Sequence, residues 1–145
     1  MTFDDLPDSW SDLPLDTPGL AADLADLFVS VADREAGCVA LLLTDAGRRL
    51  AQPVVINDVP PDADTRPLTD FLTGLAATLR AAHGALVLVR GRPGRVLLTD
   101  DDRRWHELVL ATCRREEVPV LGAYLATPAV VRTFPGALGE DDLAS

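Results

Sequence analysis

Apolar positions along this chain recur with two periods, near 3.6 residues in some stretches and as short continuous runs in others, and turn residues separate them. Leu20, Leu24, Leu27, Phe28 and Val31 fall on one helical stripe. Thr17 suits its cap and Pro18 its first turn, so the pattern predicts a helix from there to about Ala36-Gly37. Two apolar runs follow, near 38–44 and 50–57, separated by Asp45-Ala46-Gly47, which predicts a β-hairpin. The first run is apolar on both faces, as expected of a strand covered by helices on two sides. The second contains Pro53, which removes a ladder donor and points to an edge strand or a bulge.

A Pro- and Asp-rich loop at 58–65 leads into a second helical stripe of Leu68, Phe71, Leu72, Leu75, Leu79 and Ala82, closed by Gly84. Residues 85–89, ALVLV, read as a central strand. After the turn RGRPGR, Thr99 and three aspartates open a third helix whose buried stripe is Trp105, Leu108, Val109, Thr112 and Cys113. Strands at 118–126 and 130–134 complete the order α-β-β-α-β-α-β-β. A right-handed crossover through the third helix should make the third and fourth strands parallel, or nearly adjacent, in a mixed sheet. The expected fold is a single three-layer α/β domain, a mixed five-stranded sheet flanked by three helices, spanning 17–135. Residues 1–16 form an acidic extended segment in which Phe3 and Trp10 are docking candidates, and 136–145 an acidic disordered tail.

Charge sharpens this division. The net charge is −10, with arginine the only strong base, yet residues 1–35 hold nine acids and one base while residues 36–135 hold eleven acids and twelve bases. That balance argues against nucleic acid or an anionic membrane as partner, and leaves room for a local anion site in the near-neutral centre. The acidic, interrupted N-terminus is unlike a secretory leader, and the apolar runs are short for a bilayer span, which makes the cytoplasm the expected compartment.

Candidate chemistry concentrates in VRGRPGRVLLTDDDRRWHE, residues 89–107, which joins the end of a central strand to a helix, the usual place for a ligand in an open α/β sheet. Arg90, Arg92 and Arg95 are candidates for holding a phosphate or carboxylate, with Asp102 or His106 as acid or base if the ligand is a substrate. The competing reading pairs these arginines internally with Asp100, Asp101 and Asp102. GRPG is too short for a phosphate loop, and neither GxxxxGK[ST] nor GxGxxG occurs. Cys38 and Cys113 read as small buried hydrophobes, His83 as a helix-end residue, and no ligand spacing supports a metal site or a GxSxG nucleophile.

The element order together with ALVLVRGRPG, TDDDRRW and VLGAYLATPAVVRTF resembles the RadC-like branch of the JAB/MPN metalloprotease-like family, a relative of the cytidine-deaminase-like fold. In that family a strand delivers His-x-His-Pro and a Ser-x-x-Asp opens the next helix; the two histidines and the aspartate hold zinc, and a glutamate acts as base. The resemblance places Arg90 and Arg92 on the two histidines, keeps Pro93, sets Thr99 to Asp102 on Ser-x-x-Asp, and offers Glu35 for the glutamate. Arginine has no lone pair for a metal, so what the resemblance implies is a degenerate, metal-free domain without a cofactor. In it an arginine pairs with Asp102 or Glu35, and the function is protein interaction, with a protein partner or a second copy. The alternative is a binder of, or enzyme acting on, a small anionic molecule through residues 90–95.

Overall fold

Strand β1 (Cys38–Thr44) is buried along its whole length, and a strand apolar on both faces reaches that state only with neighbours on both edges and layers on both faces. The computed structural model, which describes residues 10–60 and 62–134, gives it all four. β1 lies between β2 (Leu50–Asn57) and β3 (Leu86–Gly91), antiparallel to both; β3 continues to a parallel β4 (Val120–Ala126), and β4 to an antiparallel β5 (Val131–Thr133). The sheet order is β2-β1-β3-β4-β5. Pro53 therefore sits on an edge strand, opposite Leu42 of β1.

Alternation along the strands divides the core in two. Val39, Leu41 and Leu43 of β1 and Leu86 and Leu88 of β3 pack with helices α3 (Arg66–Ala81) and α4 (Asp100–Arg115). Cys38, Ala40, Leu42, Val87 and Val89 pack with α1 (Leu20–Phe28) on the opposite face. Arg90 has the parity of the α3/α4 face. No described helix is long and apolar enough to cross a membrane.

Among the described residues four helices flank the sheet, one more than the periodicity predicts, because the expected first helix is two. Val29 turns extended at φ −104°, and Ser30 starts α2 (Val31–Ala36) with a capping box. Its hydroxyl accepts from the Asp33 amide, and the Asp33 carboxylate accepts from the Ser30 amide. Two satisfied amides at that point make a second start preferable to a continuous helix. α1 also begins later than expected, at Leu20, with Gly19 left-handed before it.

The end of α3 differs in detail. His83, at φ 55°, takes the left-handed position assigned to Gly84, and its backbone amide donates to the Arg80 carbonyl. Gly84 is needed for another reason: a Cβ there would collide with the Thr44 carbonyl of β1. Phe3 and the 136–145 tail lie outside the described residues, as does the Trp10 side chain, whose backbone opens a short 3-10 turn, Trp10–Asp12.

Candidate functional site

At the end of β3 the chain turns through residues 92–99 into α4, and the turn is organised by one side chain. The Arg92 guanidinium is buried and makes six hydrogen bonds. Its Nε donates to both carboxylate oxygens of Asp102 (2.8 and 3.0 Å), its Nη2 to Asp102 Oδ2 (2.7 Å) and the Leu97 carbonyl (2.8 Å), and its Nη1 to the carbonyls of Pro93 (3.0 Å) and Arg95 (2.7 Å). A planar fork with five donors closes a short loop in this way where a lysine would not.

Asp102 has a double role. At the third position of α4 its Oδ2 also accepts from the Thr99 amide (3.0 Å), while the Thr99 hydroxyl accepts from the Asp102 amide (3.1 Å). The carboxylate is fully buried. Burial alone would push its pKa up, but the bonds from Arg92 and Thr99 outweigh that and hold it below the ordinary aspartate value.

Arg90 is buried differently. It is 1% exposed, donates from Nη1 to the carbonyls of Cys38 (3.0 Å) and Val59 (3.2 Å), and lies 5.7 Å from the centre of the Trp105 ring. Its Nε and Nη2, like Trp105 Nε1, are shut off from solvent and have no hydrogen-bond partner among the described residues. Burial lowers its pKa, with Asp102 and Cys38 working against that shift. The contact with Trp105 contributes about 0.5–2 kcal/mol as a cation–π pair. By bonding Val59, Arg90 ties the β2–α3 loop to the end of the sheet.

The remaining candidates are dispersed. Arg95 is exposed, and its contribution inside the loop is its carbonyl. Asp100 and Asp101 face outward and pair along the helix with Arg103 (3.3 Å) and Arg104 (3.4 Å). Glu35 is exposed on α2. The three arginines thus do not converge on one surface: two are turned inward, and only Arg95 is presented to solvent. His106 packs against Phe134, ring centres 4.7 Å apart and planes tilted by 50°.

Zinc at this strand end does not fit the residues present. Arg90 and Arg92 offer no lone pair, and the Asp102 carboxylate is engaged by two donors. Among the described residues no three His, Cys, Asp or Glu side chains gather around one point. Both thiols are buried, and burial raises Cys38 and Cys113 to about 11, far from a reactive thiolate.

What the strand end does offer is a cavity of about 400 Å³ between β2 and α3. Val39, Val54, Ile56, Val59, Leu68 and Trp105 make its inner wall; Phe71, 41% exposed, stands among its lining, and Asp58 and Asp64 are its charged groups. The sequence pattern counts Phe71 into the buried stripe of α3, whereas it is turned toward this opening. No protein-family model and no curated protein matches the chain.

A second organising arginine escapes the sequence pattern altogether. Arg34 is 3% exposed and joins four acceptors: the carbonyls of Val29 (2.9 Å), Thr127 (3.1 Å) and Asp26 (3.2 Å), and the Asp26 carboxylate (2.9 Å). The one available signal is that Arg34 is the sole base among the first 35 residues.

Proposed function

We propose that this chain is a non-enzymatic protein-interaction domain, resembling a metal-free JAB-like scaffold. The observation that carries the reading is the Arg92–Asp102 pair, buried at the strand end with the carboxylate engaged by Arg92 and Thr99. A carboxylate held this way neither binds a metal nor accepts a proton near neutral pH. Asp100 and Asp101 are paired along α4 with arginines, and the charged groups that line the cavity, Asp58 and Asp64, are both acids, so among the described residues no acid and base face each other across it. The open feature is an apolar cavity beside a sheet edge, which suits binding. Anion binding by residues 90–95 has less to support it, since Arg95 alone reaches solvent there.

The test is co-purification of the tagged full chain from its native cell at native abundance. The reading expects a specific partner in a defined ratio. A monomer with no specific partner, or turnover of a substrate abolished by Asp102→Asn with the fold intact, overturns it.

A further inference from the structure

Resting on that reading, we infer that the partner docks as an extended segment along the outer edge of β2, placing an apolar side chain in the β2–α3 cavity and a neighbouring Lys or Arg against Asp58 and Asp64. Three independent features of this corner point to that chemistry.

The first is the sheet edge. Among the described residues β2 has β1 as its one strand neighbour, and the N-terminal segment touches its outer side at its start, where Pro14 bridges Arg49; beyond that bridge the edge is longer than the opposite one, β5, of three residues. Pro53 cannot donate to an added strand, which leaves Val54–Asn57 as the stretch able to pair outward. Those residues adjoin the cavity: Val54, Ile56 and Asn57 line it.

The second is the cavity itself. Its lining is apolar over most of its extent and includes a phenylalanine that stays 41% exposed. At about 400 Å³ it has room for one large side chain and part of its flanks. A strand added to β2 would direct alternate side chains toward it, the arrangement by which strand addition gains specificity.

The third is charge. Between Asn57 and Asp70 the chain carries Asp58, Asp62, Asp64 and Asp70 against Arg66. Asp58 and Asp64 are exposed at the cavity. Arg104, the nearby cation on α4, is held against Asp101 (3.4 Å) and the Ala63 carbonyl (3.2 Å). A basic segment is drawn to this rim, and a net charge of −10 adds long-range steering. A second copy of this chain would set two acidic rims against each other, so self-pairing is the disfavoured occupant.

The experiment selects a random twelve-residue phage-displayed library on the full chain, then titrates a selected peptide and its Arg-to-Glu, Lys-to-Glu counterpart by amide NMR. The inference expects sequences with an aliphatic or aromatic residue beside Lys or Arg. It also expects saturable shifts confined to 54–59 and 63–71, and no binding of the acidic counterpart. Asp58→Asn with Asp64→Asn should weaken binding about tenfold at low salt. Asparagine tolerates the left-handed backbone of residue 58 (φ 59°) and keeps the oxygen that accepts from the Arg66 amide, so the fold is retained. Phe71→Ala should weaken it further, while Asp100→Asn, at the exposed first residue of α4, leaves it unchanged.

Enrichment of acidic or uncharged sequences, failure of selection, shifts elsewhere, or a dimer in sedimentation that protects 54–57 each overturns the inference. If a native partner co-purifies equally with the Asp58→Asn, Asp64→Asn variant, the interaction reading survives and the basic-segment assignment fails. If none co-purifies with the unaltered chain, the reading itself fails.

Discussion

Replacing Asp102 by alanine should cost this domain a large part of its stability, and the structure says how much. The variant leaves the Arg92 side chain, 8% exposed, with its carbonyl bonds but without its counter-charge, and breaking one side of a buried pair costs about 3–5 kcal/mol. It also strips the Thr99 amide of its acceptor at the start of α4, worth about 1 kcal/mol more. A loss of about 4–6 kcal/mol compares with a total of roughly 5–15 kcal/mol for a domain. With a urea slope of about 2 kcal/mol per molar, the midpoint should fall by ~2–3 M, or the protein should not fold at all.

A second variant separates charge from packing. Arg92→Met with Asp102→Leu removes both charges, so it should be more stable than Asp102→Ala even though the 92–99 loop loses its tie to Pro93, Arg95 and Leu97. The pH dependence has a definite sign. The Asp102 pKa is lowered below its unfolded value of 3.8, so its stabilisation is complete above that value and is lost as pH falls through the folded pKa. The unaltered chain should therefore lose stability below about pH 4 more steeply than the double variant. A loss under ~1 kcal/mol in Asp102→Ala at pH 7, measured by urea unfolding followed by circular dichroism, would refute the role given to the pair.

Three further outcomes follow from the geometry. Cys38 and Cys113, each raised to about 11, should resist a disulfide reagent at pH 8 in the folded protein and react fully in denaturant; rapid native labelling would contradict their burial. Gly37→Ala should destabilise by more than ~1 kcal/mol and shift the amides of 57–60, since Gly37 has φ 88° and a Cβ would stand 2.5 Å from the Val59 carbonyl that Arg90 holds. Protein purified without chelator should contain far less than one zinc per chain by elemental analysis, and a stoichiometric metal removed by Asp102→Asn would contradict the engagement of that carboxylate.

The strands were legible because their signals are local. Six consecutive apolar positions, Cys38 to Leu43, mark β1 as central, Pro53 marks β2 as an edge, and Thr99 with the aspartates after it marks the start of α4. The break between α1 and α2 was hidden because the apolar stripe runs through it; the Ser30–Asp33 capping box that ends the continuity is a polar signal inside an apolar period. The turn after β3 was recognisable as the place where charged residues gather, but not how they would sort. Arg92 and Asp102 meet across ten residues, while Asp100 and Asp101 find partners one helical turn away. The cavity was not legible at all. Its wall comes from β1, β2, the following loop, α3 and α4, with no motif shared among them, and Phe71 gives the same helical spacing whether it faces a core or an opening.

The most direct test of the binding account is amide hydrogen exchange on the chain with its co-purified partner, compared with the chain alone. The account predicts slowed exchange in 54–59 and 63–71, with the loop 92–99 unchanged. Protection confined to 92–99, or none along β2 and α3, would contradict it.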